Sequence, residues 1–140
     1  MNRNVNLNRL EKKIKKLIFD LEFEQAEELT KDLSEEELKD LILALGVYTE
    51  SIVIYTFVSF ILQRNESSNL HYISSVLMAA PLCHIEGAYE VGLFHAKKAI
   101  ELSPNELSLY KYILFFENNP DGEFPKKYLK FIKQKIKELE

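Results

Sequence analysis

The chain has 140 residues, 46% of them apolar, with four glycines, four prolines, one cysteine and a net charge of −4. That is the size of one domain with enough apolar side chain for a core, which excludes wholesale disorder, and the lone cysteine excludes an internal disulfide framework. Long runs without glycine or proline favour helices over a turn-rich sheet.

The N-terminus, MNRNVNLNRLEKKIKKLIF, interleaves apolar residues with charges. It has neither the continuous apolar segment nor the small-residue cleavage site of a secretion signal. A first helix is predicted near 8–21, with Asn8 as its cap. Leu10, Ile14, Leu17, Ile18 and Leu21 form its apolar stripe, with lysines opposite. A second is predicted near 23–33, with Phe23, Ala26, Thr30 and Leu33 on one face. Ser34 and Glu37 have the spacing of a capping box and open a third helix. Its stripe is Leu38, Leu41, Ile42 and Leu45, and Gly46 is expected as a left-handed stop.

The fourth helix starts after Thr49 and ends near Arg64. It holds the longest apolar run, IVIYTFVSFIL. Those residues rise about 16 Å as a helix, roughly half a bilayer core, so a buried central helix touching neighbours on several sides is expected. Asn65–Ser68 reads as a turn. The fifth helix runs from about Asn69 through Leu70, Ile73, Val76 and Leu77 and is interrupted by Pro81. A short segment reaches Ile85, and Gly87 opens a sixth helix that lasts to Leu102. Ser103-Pro104-Asn105-Glu106 has the pattern of a second capping box with proline at the first helical position, so a seventh helix is predicted from Pro104 to about Glu117. NNPDGEF is loop-like. The eighth helix begins near Pro125 and carries Tyr128, Leu129, Ile132, Ile136 and Leu139. No strand alternation competes. The expectation is a single all-α domain over 1–140, of seven to eight helices in antiparallel pairs joined by short loops.

Charge is unevenly distributed. Residues 1–19 carry six basic side chains against one acidic, residues 20–40 carry ten acidic against two basic, and residues 125–140 carry six basic against two acidic. Such runs are solvated helix faces, or an acidic patch that attracts a basic partner. Basic runs that sit at the termini of a chain acidic overall disfavour nucleic-acid binding.

His84 to Glu106, HIEGAYEVGLFHAKKAIELSPNE, holds the apparent chemistry. His84-Ile85-Glu86 has the His-x-Glu spacing of zinc deaminases. That chemistry also needs a downstream Pro-Cys-x-x-Cys, and the only cysteine, Cys83, precedes the histidine. Zinc on Cys83, His84 and His95 lacks a complete ligand set, and Cys83 as a nucleophile lacks an orienting third group. Cys83 is therefore expected as a small buried apolar residue. His95 shares a helix face with Ala88, Val91, Gly92 and Ala99, as a core or boundary histidine with one hydrogen bond. Tyr89 is expected to pack, with its hydroxyl satisfied at the rim. Tyr110, Tyr112, Phe115 and Phe116 are too many for one narrow face, so some are expected at an interface. No Gly-rich phosphate loop is present. No catalytic, metal-binding or cofactor-binding residue is assigned.

Gly87-x-Tyr89-x-x-Gly92-x-x-x-Ala96-x-x-Ala99-Ile100-x-Leu102-x-Pro104-Asn105 resembles the turn and second helix of a tetratricopeptide repeat. Gly92 stands where alanine is common in that family, and Pro81 falls inside the segment that corresponds to the first helix. A weaker echo, Phe23-x-x-Ala26-x-x-x-Thr30-x-x-Leu33, lies 66 residues earlier, near two periods of about 34. The resemblance covers about 20 residues well and about 25 more weakly. It implies a right-handed stack of antiparallel helix hairpins. The acidic helical chain with its GAY…HAKKAIELSPN segment also resembles bacterial immunity proteins that neutralise secreted or contact-dependent toxins. That resemblance implies non-covalent neutralisation of a toxin domain, with no catalysis. The missing secretion signal and the short apolar run give the expectation of a cytoplasmic chain with no membrane contact, the acidic charge that of a basic toxin domain as partner, and no cofactor is expected. The candidate partner-binding residues are Asp32, Glu35, Glu36, Glu86 and Glu90. The alternative is a repeat-type adaptor that holds a peptide in a concave groove.

Overall fold

The computed structural model describes residues 3–140, with side chains from Arg9 onward. The described chain is helical and has no strand. Its helices are α1 (Arg3–Phe19), α2 (Phe23–Thr30), α3 (Glu35–Thr49), α4 (Ile52–Arg64), α5 (Ser68–Ala79), α6 (Ala88–Leu102), α7 (Leu107–Ile113) and α8 (Lys126–Leu139). One turn of 3₁₀ helix, Leu114–Phe116, extends α7. The expected all-α fold of seven to eight helices is what forms.

Ile14 and Ile18 of α1 are fully buried, as their spacing predicts. Leu21 departs from that stripe. The helix ends at Phe19, and Leu21 lies in the turn to α2 at φ 62°, 69% exposed. The expected Asn8 cap lies outside the described side chains. Ser34 caps α3 as predicted: Glu37 N–H donates to Ser34 Oγ at 3.1 Å, and Ser34 N–H donates to Glu37 Oε1 at 3.2 Å.

Gly46 does not stop α3. The helix runs on to Thr49 and ends at Glu50, whose φ of 50° supplies the left-handed residue. Gly46 is instead a point of close approach. A Cβ there would sit 2.6 Å from Leu77 Cδ1 and 3.0 Å from Pro81 Cβ. The position is glycine because α5 and the turn after it press on α3.

α4 behaves as a central helix and packs on α1, α2, α3 and α5. Ile54, Phe57, Val58 and Ile61 are buried, while Phe23 sets its ring edge against Phe57 at 5.6 Å. α5 ends at Ala79, before Pro81, and Gly87 starts α6 at φ 84°, a conformation glycine adopts freely. The second capping box does not form. Residues 103–106 make a turn that closes α6, and α7 begins only at Leu107. Pro104 serves that turn, with its carbonyl accepting from Tyr110 Oη at 2.7 Å.

Two apolar cores result. One joins α1 to α5, and the other joins α6 to α8 with the 3₁₀ turn. They meet along α5 and α6, the most closely packed helix pair. From α5 onward each helix packs on the next in sequence. The first half is interleaved instead, with α2 resting on α1 and α4. Tyr110 and Phe116 are core, whereas Phe115 is 77% exposed, so the aromatic cluster does spill onto the surface.

Candidate functional site

The five candidate acidic residues are all exposed. They do not form one patch. Glu35 and Glu36 stand at the start of α3 and line a cleft of about 430 Å³ with Lys39, Tyr72, Ser103 and Glu106. Lys39 is held by Glu36 at 2.8 Å. Glu86 and Glu90 stand at the opposite end of α6, beside Cys83, His84 and Asp121. The two groups are separated by the length of α6, about 21 Å at 1.5 Å per residue. Asp32 sits in the turn between α2 and α3.

The Glu86–Glu90 end is the more elaborate surface. Glu90 also borders a shallow groove with Tyr89, Leu93, Phe94, Lys97, Gly122 and Glu123. Phe94 is 52% exposed. The Tyr89 ring fixes the groove floor. Its hydroxyl donates to the Phe116 carbonyl at 2.9 Å, and burial raises its pKa, so it stays a donor. This satisfies the expected packing role. Gly122 lies flat on that ring, at 2.1 Å from Tyr89 Cδ1 for any added Cβ, so the 117–124 loop seats there only with glycine. Lys97 places its ammonium 4.5 Å from the Tyr128 ring centre.

Cys83 is exposed, which corrects its assignment to the core. It lies in the turn after α5, where Leu82 is fully buried and Pro81 packs against Gly46 instead. Cys83 and His84 are on the surface while His95 is 3% exposed, so the three do not converge. Among the described residues no group of three His, Cys, Asp or Glu side chains is placed to hold a metal ion.

The arrangement that sequence reasoning missed lies between α4, α5 and α6. His95 makes two hydrogen bonds where one was expected. Its Nδ1 faces His71 Nδ1 at 2.9 Å, and its Nε2 faces Tyr55 Oη at 2.8 Å. His71, also 3% exposed, places Nε2 at 2.8 Å from Glu66 Oε2. A four-member chain thus runs from Glu66, at the surface, through two buried imidazoles to the partly buried Tyr55. Burial, with the neighbouring imidazole, pushes the His95 pKa from 6.5 down to about 4. The His71 hydrogen bond lowers the Glu66 pKa, which favours its carboxylate form.

The pair belongs to a polar seam. Ser68 Oγ donates to the Ala99 carbonyl at 2.9 Å, and Ser75 Oγ donates to the Gly92 carbonyl at 2.7 Å. That leaves the Ser75 oxygen to accept from Tyr112 Oη at 2.8 Å, with burial raising the tyrosine pKa to about 12. Ser68, His71 and Ser75 recur at helical spacing on α5 and meet Ala99, His95 and Gly92 in antiparallel order. Periodic polar residues in an otherwise apolar helix were the available signal.

No protein-family model, curated protein or solved structure matches the chain. Among the described residues, no helix is long and apolar enough to cross a membrane.

Proposed function

We propose that this chain is a protein-binding module without catalytic activity, and specifically an immunity-type inhibitor that masks a basic toxin domain in the cytoplasm. The observation that carries the reading is the surface at the start of α6. Its floor is aromatic, with Phe94 half exposed beside Tyr89 and Leu93. Its border is mostly acidic, with Glu86, Glu90, Asp121 and Glu123 against the single cation Lys97, which is turned over the Tyr128 ring. An exposed aromatic anchor within a predominantly acidic rim suits a folded, basic partner. The rim steers encounter and the desolvated ring holds the complex. The test is genetic and biochemical. Growth-inhibitory C-terminal domains encoded beside this gene are expressed with and without the chain. Protection together with a stoichiometric complex is the expected result. Full toxicity in the presence of the chain, with no complex on gel filtration, refutes it.

A second reading is a repeat-type adaptor for a basic peptide. It is favoured by the cleft between α3, α5 and the α6–α7 turn, where Glu35, Glu36 and Glu106 surround Tyr72. Binding of short basic peptides abolished by Glu106→Lys supports it, and binding of folded domains alone removes it.

A further inference from the structure

Glu66, His71, His95 and Tyr55 can be assigned proton by proton. Glu66, as a carboxylate, only accepts, so His71 Nε2 carries the hydrogen of the 2.8 Å contact. A neutral His71 then has a bare Nδ1, so the 2.9 Å contact requires His95 to donate from its Nδ1. A neutral His95 therefore has a bare Nε2, and Tyr55 Oη–H donates to it across 2.8 Å. Each assignment forces the next, and His95 adopts the less common Nδ1–H tautomer.

One more proton is accommodated without loss of a hydrogen bond. Solvent gives a proton to the Tyr55 oxygen, and the original hydroxyl hydrogen moves to His95 Nε2. The His95 Nδ1 hydrogen moves to His71 Nδ1. The sum is one proton gained. His71 becomes the imidazolium beside the Glu66 carboxylate, His95 stays neutral, and the Tyr55–His95 bond reverses so that Tyr55 accepts. A second proton has no such route. It makes His95 cationic as well and sets two N–H groups head to head at 2.9 Å, with no acceptor between them.

We propose that these four residues form a proton-binding site of capacity one, which reports its occupancy at the surface by turning the Tyr55 hydroxyl from an inward donor to an outward one. Few other charges bear on it. From α6, Lys98 acts on Glu66 and is itself 3.2 Å from Glu101. From α3, Lys39 turns to Glu36 and Tyr72, from α4, Arg64 pairs with Glu27, and from α7, Lys111 pairs with Glu140. Next to His95, Phe94 presents a ring edge at 5.1 Å.

The full chain labelled with ¹⁵N-histidine tests this through long-range ¹H–¹⁵N correlation over a pH series. At alkaline pH His95 is expected as the Nδ1–H tautomer and His71 as Nε2–H. On acidification both change in one step, His71 to imidazolium and His95 to Nε2–H. His95 found as Nε2–H at alkaline pH, or both rings cationic in the folded chain, overturns the proposal. Glu66→Gln provides a second measurement. Glu66 is half exposed, so the variant keeps the fold, and it removes the counter-charge. The pair's affinity for its first proton is expected to fall about tenfold. An unchanged affinity places the proton elsewhere and also overturns the proposal.

Discussion

His95 is 3% exposed, and its imidazolium is disfavoured down to a pKa of about 4, against an ordinary 6.5. The folded state therefore binds fewer protons at this residue than the unfolded state does. Its stabilising effect is complete above about pH 6.5 and is lost as pH falls toward 4. At 1.36 kcal/mol per unit the loss amounts to about 3 kcal/mol. That is a large part of the roughly 5–15 kcal/mol that holds a domain folded. The perturbation that isolates it is His95→Gln. The glutamine amide lacks a titrating group, and it loses the geometry of the contacts to Tyr55 and His71.

At pH 7 the variant is expected to be about 1–3 kcal/mol less stable than the natural chain, from buried hydrogen bonds no longer made. The difference should shrink by about 3 kcal/mol between pH 7 and pH 4, so that the two chains become similar or change order. Urea unfolding at 25 °C, followed by helical circular dichroism at half-unit pH steps, measures it. The two chains share all their carboxylates, so the carboxylate share of the acid sensitivity largely cancels in the difference. A difference constant from pH 7 to pH 4 refutes the burial account of His95.

Other substitutions separate packing from propensity and charge. Gly46→Ala gains about 1 kcal/mol of helix propensity but drives a methyl into Leu77 and Pro81, and overpacking costs about 1–3 kcal/mol. A net loss of up to about 2 kcal/mol in urea unfolding is expected, and a gain would show that the contact relaxes freely. Ser34→Ala removes the capping box of α3 and should lower Tm by about 3 °C, close to 1 kcal/mol, with an unchanged Tm counting against the cap. Reversing Glu86 and Glu90 to lysine should slow association with a basic partner severalfold at low salt and much less at high salt. Reversing Glu35 and Glu36, about 21 Å away at the far end of α6, should slow it less, and hardly at all near 0.15 M salt, where the screening length is about 8 Å. Equal slowing by both pairs removes the α6 face as the docking surface.

The helical plan was legible because it depends on local spacing. Ile14 with Ile18, Leu41 with Leu45, and the Ser34–Glu37 box all involve residues three or four apart, and each took the predicted role. The errors arose where a local signal was outweighed by a distant contact. Gly46 reads as a helix stop until Leu77, far along the chain, is found against it. Ser103-Pro104-Asn105-Glu106 reads as a helix start. Yet Ser103 N–H donates to Ala99 and Ile100 carbonyls, so the segment finishes α6 before it can begin α7. Cys83 reads as core by type, but Pro81 ends α5 and leaves it in an outward-facing turn. His71 went unnoticed because its partners, Glu66, His95 and through it Tyr55, come from three segments. Only the folded chain brings those together.

The polar seam explains why two apolar cores meet at a defined offset. Apolar surfaces alone specify register weakly, because sliding one helix along another exchanges one set of methyl contacts for a similar set. Between α5 and α6 the choice is discrete. Ser68 needs the Ala99 carbonyl, His71 needs His95, and Ser75 needs the Gly92 carbonyl. Among the described residues no buried side-chain nitrogen or oxygen lacks a partner. A slip of one turn would break all three pairings at once, and each buried group left unsatisfied costs about 1–3 kcal/mol. Gly92, Ala96 and Ala99 make the arrangement possible, since small side chains let the serine hydroxyls reach backbone carbonyls across the interface. The same register fixes the surface. It holds Glu86, Glu90 and Phe94 beside the 117–124 loop at one end of α6, and brings Ser103 and Glu106 to Glu35 and Glu36 at the other. The buried histidine pair, in the middle of that seam, supplies one of the three pairings that hold the alignment on which both surfaces depend.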